Sequence, residues 1–289
     1  MKKLILVFLS AASIVLSGCS NHSLSQAEPP KPQVAVSIVP QAAFVKAVAG
    51  ELVDVVTMIP PGKSPGNYAP TPQEMEKFSK SSLFFTIGVP SENASILPKS
   101  RELNKSLRVV RMDDEVQKVF PERELSPGQR DPHIWLSPKR ARIMVEIIAR
   151  ELSQLDPKNN HVYDRNAQEY IAKLAQLDKD IASSLANLPA RTFIVYHPAF
   201  GYFADDYGLK MIALEKDGKE ATAKDLERVV DEAREQGIKV IFYQAEIDSR
   251  QSRAVAEALG GSTEQVAPLA ADYIGNLEKI AAAFGRVMK

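Results

Sequence analysis

The 289 residues hold one cysteine, one tryptophan and four histidines, and Lys+Arg and Asp+Glu both number 36. A single thiol excludes an internal disulfide even in an oxidising compartment. A formal charge of zero with no basic stripe gives nucleic-acid binding no support. No Gly-rich phosphate loop occurs and no nucleophile–base–acid set is recognisable, so an enzyme is not expected. What remains is ordinary globular material, 45% hydrophobic and 25% charged, enough to build a core or two.

The N-terminus departs from that average. In MKKLILVFLSAASIVLSGCS two lysines precede an apolar stretch too short to span a bilayer comfortably, followed by small residues. This pattern predicts an export signal over 1–18. Leu16-Ser17-Gly18-Cys19 resembles the bacterial lipobox, in which cleavage exposes the cysteine for lipidation at Cys19. An ordinary signal with an incidental cysteine is the alternative. Residues 19–32 are rich in Ser and Pro without apolar periodicity and read as a flexible tether from the lipid to the fold, with His22 solvated. The expected location is extracytoplasmic, tethered to a bacterial membrane.

The organising element of the mature chain is the run at 157–188. Tyr163, Ala167, Tyr170, Ile171, Leu174, Leu177, Ile181, Leu185 and Leu188 recur at gaps of three and four, with charged residues between them. A helix of ~30 residues is ~45 Å long. Short β-rich runs alternate with helices on both sides of it. The fold class is therefore α/β: two lobes, 33–156 and 189–289, with mostly parallel sheets flanked by helices, joined by one long rigid linker helix. A plain surface helix is the alternative, and the length argues against it. The polar segment 113–130 reads as loop. In such sheets, binding residues lie at the carboxyl ends of strands.

Two of the histidines are placed for chemistry. His197 ends the apolar strand TFIVYH, and His133 sits in a Pro-bounded loop before a helix, one in each lobe; His161 lies near the start of the long helix and faces solvent. Imidazoles facing each other across a cleft suit one zinc, manganese or iron ion, and Asp131 is spaced to orient the ring of His133. Isolated histidines satisfied by hydrogen bonds are the alternative.

Five segments then carry a resemblance. SPGNYAPTPQEM at 64–75, DPHIWLSP at 131–138, HPAFGYFADDYGL at 197–209, EKDGKEATAKDL at 215–226, and VIFYQAEIDSR with VAPLAADY at 266–273 resemble the zinc/manganese solute-binding proteins of ABC importers, bacterial solute-binding protein family 9. The likeness runs in order along the mature chain. It implies a long linker helix, a transition metal (zinc or manganese) as cargo, a membrane permease and an ATPase as partners, and a monomer. His133 and His197 match two of the family's four metal ligands. The other two positions are Gly66 and Ala267, neither able to ligate through a side chain. Zinc wants four donors. Asn67, Tyr68, Gln244, Glu246 and Asp248 are the nearby replacements; Glu246 comes first because a carboxylate neutralises charge, against its reading as a solvated loop acid. No histidine lies within 112–130, so no zinc-collecting loop is expected. The same fold serving as an adhesin, a sensor or a binder of another ligand is the second reading.

Overall fold

The computed structural model describes residues 31–215, 218–247 and 250–289. The expected signal, the tether up to residue 30, and Cys19 and His22 within them lie outside the described residues, as does Asp248. No helix of the described residues is long and apolar enough to cross a membrane.

The chain from Lys31 onward forms one compact unit with two four-stranded parallel sheets. The first comprises β1 (Gln33–Val36), β2 (Asp54–Thr57), β3 (Leu83–Thr86) and β4 (Arg108–Arg111), in the order β2-β1-β3-β4. Helices α1 (Val39–Ala49), α2 (Pro72–Phe78) and α3 (Leu97–Leu103) make its crossovers. The entry to α1 is held by Gln41, whose Oε1 accepts the N–H groups of Ser37 and Ile38 at 3.0 and 3.1 Å. A π-helical turn at Glu92–Ile96 runs into α3. Prolines at 90 and 98 interrupt any period in this stretch, so these elements have no sequence signature.

The segment read as loop is also structured: α4 (Met112–Gln117) is followed by an antiparallel hairpin, β5 (Glu124–Ser126) and β6 (Gln129–Arg130). Its turn is carried by Gly128 at φ 78°, a backbone conformation that favours glycine. Such short strands leave little alternation to read.

Helices α5 (Pro138–Leu155) and α6 (Asn160–Leu185) follow, separated by a 3-10 turn at Pro157–Asn159. The long helix thus exists and is shorter at both ends than 157–188, spanning ~39 Å over its 26 residues. It packs along α5 and α1 and, further on, along α10 (Tyr273–Val287). Tyr163, Ala167, Leu174, Leu177, Ile181 and Leu185 are its buried stripe, while Tyr170, Ile171 and Leu188 are only partly covered.

The second sheet comprises β7 (Thr192–Val195), β8 (Lys210–Ala213), β9 (Val240–Tyr243) and β10 (Ser262–Gln265), in the order β10-β9-β7-β8. Between its strands run α7 (Gly201–Asp206), α8 (Ala223–Glu235) and α9 (Arg250–Ala258), and α10 closes the chain. Successive residues of β7 serve opposite faces. Phe193 and Val195 join the main core, whereas Ile194 packs with Ile212, Val229 and Ile241 in a second cluster. Within the main core Phe284 stacks on Phe193 at 4.2 Å and meets Phe200, Phe203 and Phe242 edge-on. The order places β7 between β8 and β9, so its carboxyl end is a topological switch point, where open α/β sheets form crevices. His197 lies two residues beyond that end.

Candidate metal centre

His133 is delivered by a locked loop. Asp131, fully buried, accepts the backbone N–H of His133 at 3.0 Å on the same oxygen, Oδ1, that faces ring Nδ1 at 2.7 Å. One carboxylate oxygen therefore fixes both the turn and the ring. Beyond it, Ile134–Leu136 make a 3-10 turn, and Ser137 Oγ accepts the Arg140 N–H to start α5.

Residues from the C-terminal half of the chain hold this loop in place. Trp135 Nε1 donates to the Pro268 carbonyl at 2.8 Å, and the Tyr273 hydroxyl donates to the Trp135 carbonyl at 2.7 Å. Tyr202 accepts the Arg123 N–H and donates to the Asp131 carbonyl. All these atoms are wholly or largely out of water, where a broken hydrogen bond costs most.

His197 comes off the switch point of the second sheet. Its Nδ1 faces Glu215 Oε2 at 2.9 Å, and Glu215 stands just past the end of the neighbouring strand β8, its N–H bonded to the Tyr196 carbonyl. Both rings thus carry a carboxylate on Nδ1, which makes Nδ1 the donor and leaves a lone pair on Nε2. The two Nε2 atoms face each other at 3.1 Å, with ring centroids 5.0 Å apart and planes inclined by 76°. Two lone pairs at that separation repel unless a cation lies between them. Two Zn–N bonds of about 2.0–2.1 Å at a tetrahedral angle put the nitrogens roughly 3.3 Å apart, close to what is seen. Burial pushes the His133 imidazolium pKa down, against the pull of Asp131. The neutral, ligating form is thereby favoured.

Of the remaining sequence candidates, Asn67, Gln244 and Glu246 line the same cleft, about 920 Å³ in volume, but do not complete a shell. Among the described residues no group of three or more His, Cys, Asp or Glu side chains is arranged to hold an ion. Asn67 is exposed and Gln244 is buried. Tyr68 is turned away, its hydroxyl bonded to Glu74 at 2.8 and 2.9 Å. Glu246 has a buried Oε2 without a hydrogen-bond partner among the described residues. Gly66 is exposed, and a Cβ there would meet only Ser64 Oγ at 3.5 Å. The Ala267 carbonyl accepts from Asn276 at 2.7 Å.

Sequence reasoning passed over two residues. Glu215 was readable only as an acid at a strand end, and its bond to His197 depends on the β7–β8 pairing. Arg123, in the polar segment, pairs with Asp131 at 3.3 Å and with Asp205 at 2.9 Å.

Comparisons with known proteins identify the family. The family model described as zinc-uptake complex component A, periplasmic (ZnuA), matches residues 34–286. The manganese ABC transporter substrate-binding lipoprotein PsaA of Streptococcus mitis is 28% identical over 267 residues, covering 89% of this chain and 86% of the relative. The high-affinity zinc uptake system protein ZnuA of Bacillus subtilis is 28% identical over 274 residues, covering 90% and 86%. Among solved structures, a crystal structure of ZnuA superposes with a TM-score of 0.85 at 32% identity, covering 90% of this chain and all of that one. The laminin-binding protein Lmb of Streptococcus agalactiae shares the fold, with a TM-score of 0.79 at 24% identity and coverage of 90% and 100%. With nearly its whole described length matched, the chain belongs to the ZnuA family of zinc-uptake complex components.

Proposed function

We propose that this protein is the extracytoplasmic solute-binding component of an ABC importer, capturing zinc or manganese between His133 and His197 and delivering it to a membrane permease with its ATPase. It acts as a monomer anchored by lipid at Cys19, and its work is capture rather than chemistry. The observation that carries the reading is the 3.1 Å approach of two imidazole Nε2 atoms from opposite lobes. Their Nδ1 atoms are both held by carboxylates, so both lone pairs are committed to the same point.

The fixed loop around His133 implies that capture does not wait for the lobes to swing together. The ion enters between rings already in place, a pre-organised pair that needs little further ordering on binding.

Equilibrium dialysis of the purified protein against zinc and, separately, manganese, followed by metal analysis, tests the reading. One ion per chain is expected, lost in His133→Ala and in His197→Ala. Retention unchanged by both substitutions, or no retention of either metal, would turn the assignment toward the adhesin, sensor or other-ligand reading.

A further inference from the structure

We propose that the cleft takes its metal as a complex with a small anionic chelator of the hydroxy- or aminocarboxylate class: the two imidazoles fill two coordination positions and the chelator fills others. This rests on the metal reading of His133 and His197.

Three features of the site point the same way. The donor set is short: two converging Nε2 atoms, with no third His, Cys, Asp or Glu among the described residues arranged to join them. Asp131 and Glu215 are bound to the backs of the rings, where they orient rather than ligate. A four-coordinate zinc therefore keeps about two positions for other donors.

The space is also far larger than an ion requires. A liquid water takes about 30 Å³, so an ion with six waters needs only about 200 Å³. The cleft measures about 920 Å³, within the range of small-molecule sites. Its front wall at Gly66 has no side chain, and nothing but Ser64 Oγ stands within 4 Å of where a Cβ would be. The lack of a donor there is accordingly a matter of residue type, not of crowding.

The polar groups left over on the wall suit a carboxylate ligand. Lys63 and Arg123 line the cleft; Arg130 lines it too, but its Nη atoms are already spent on Asp113, Asp114 and Glu122. Lys63 is exposed and makes no ion pair with a described residue; Arg123 spends Nε on Asp131 and Nη1 on Asp205, which leaves Nη2 free of partners among the described residues. The N–H groups of that nitrogen can still donate a charge-assisted hydrogen bond to a carboxylate. Glu246 contributes the opposite need, a buried Oε2 with no donor among the described residues. A ligand carrying a hydroxyl or amino group beside its carboxylates satisfies both.

The experiment uses zinc alone, zinc with isotope-labelled citrate, and labelled citrate alone, read by equilibrium dialysis and native mass spectrometry. The inference expects one citrate and one zinc retained together per chain, no citrate retained without zinc, and neither retained by His197→Ala. Gly66→His restores an imidazole to the open wall. It is expected to tighten bare zinc at least about tenfold and to lower citrate co-retention by a similar factor. Zinc retained one per chain, with citrate absent from the complex and Gly66→His without effect, would overturn the chelate while leaving metal capture intact. Retention of neither zinc nor zinc–citrate would overturn both.

Discussion

The guanidinium of Arg123 occupies the space that a side chain at Gly201 would fill. A Cβ built on Gly201 would overlap Arg123 and stand 2.7 Å from Asp131 Oδ2. The first residue of α7 is thus bare so that the Arg123–Asp131 pair can lie against that helix. Gly201→Ala is expected to push the pair aside, costing about 1–3 kcal/mol of stability as overpacking does. Zinc affinity should fall with it, because Asp131 then no longer fixes the His133 ring. Chemical denaturation and zinc titration of the folded variant measure the two effects separately.

Glu215 performs for His197 what Asp131 performs for His133, from the end of a neighbouring strand. Outer carboxylates of this kind raise the basicity of the ligating nitrogen, and losing one typically costs 10–100-fold in affinity. Glu215→Ala is expected to weaken zinc within that range at unchanged stoichiometry, read by competition with a zinc-binding dye. An unchanged affinity would mean the His197 ring is held by packing alone.

The fold as a whole was legible in the sequence and the site only in part. Alternation of β-rich and helical runs, and the three-four spacing from Tyr163 to Leu185, are properties of local sequence and survive into the structure. The hairpin at 124–130 and the π-helical turn at 92–96 are too short, or too interrupted by proline, to carry a period. His133 and His197 stood out because histidine is scarce and each lies at a chain reversal. Their partners are another matter: Glu215 reaches His197 because β8 pairs with β7, and Arg123 reaches Asp131 because Gly201 leaves room. Contacts set by tertiary register have no signature in a single sequence.

Glu92 gives the stability a pH dependence. Its carboxylate is buried under the loop that lines the cleft at Gly88, Val89 and Pro90, where it accepts the N–H groups of Ile87 and Gly88 and pairs with Ser37. Burial outweighs those bonds and pushes its pKa up from 4.5 to about 7. A carboxyl whose folded pKa is raised makes the native state the better proton binder between the two values. Its contribution is therefore full below about 4.5, falls as pH rises to about 7, and is flat beyond. At about 1.4 kcal/mol per pH unit, the loss is at most a few kcal/mol. Urea denaturation across that window should show a slope that Glu92→Gln flattens.

The donor set also discriminates between the two metals. Imidazole nitrogens suit zinc, whereas manganese(II) is best served by carboxylate and water and stands lowest in the first-row affinity order. With Asp131 and Glu215 turned to the backs of the rings, the donors that converge among the described residues are nitrogen only. Dialysis against equimolar zinc and manganese without added chelator is expected to leave zinc in excess by about a hundredfold or more. Comparable retention of manganese would require an oxygen donor such as Glu246 to swing onto the ion.

X-ray absorption at the zinc edge reads the shell itself. The zinc-loaded protein is expected to show two imidazole nitrogens per ion at about 2.0–2.1 Å, a signal that disappears with the bound zinc in His133→Ala and in His197→Ala. A spectrum without imidazole scattering, or one that neither substitution changes, would contradict it.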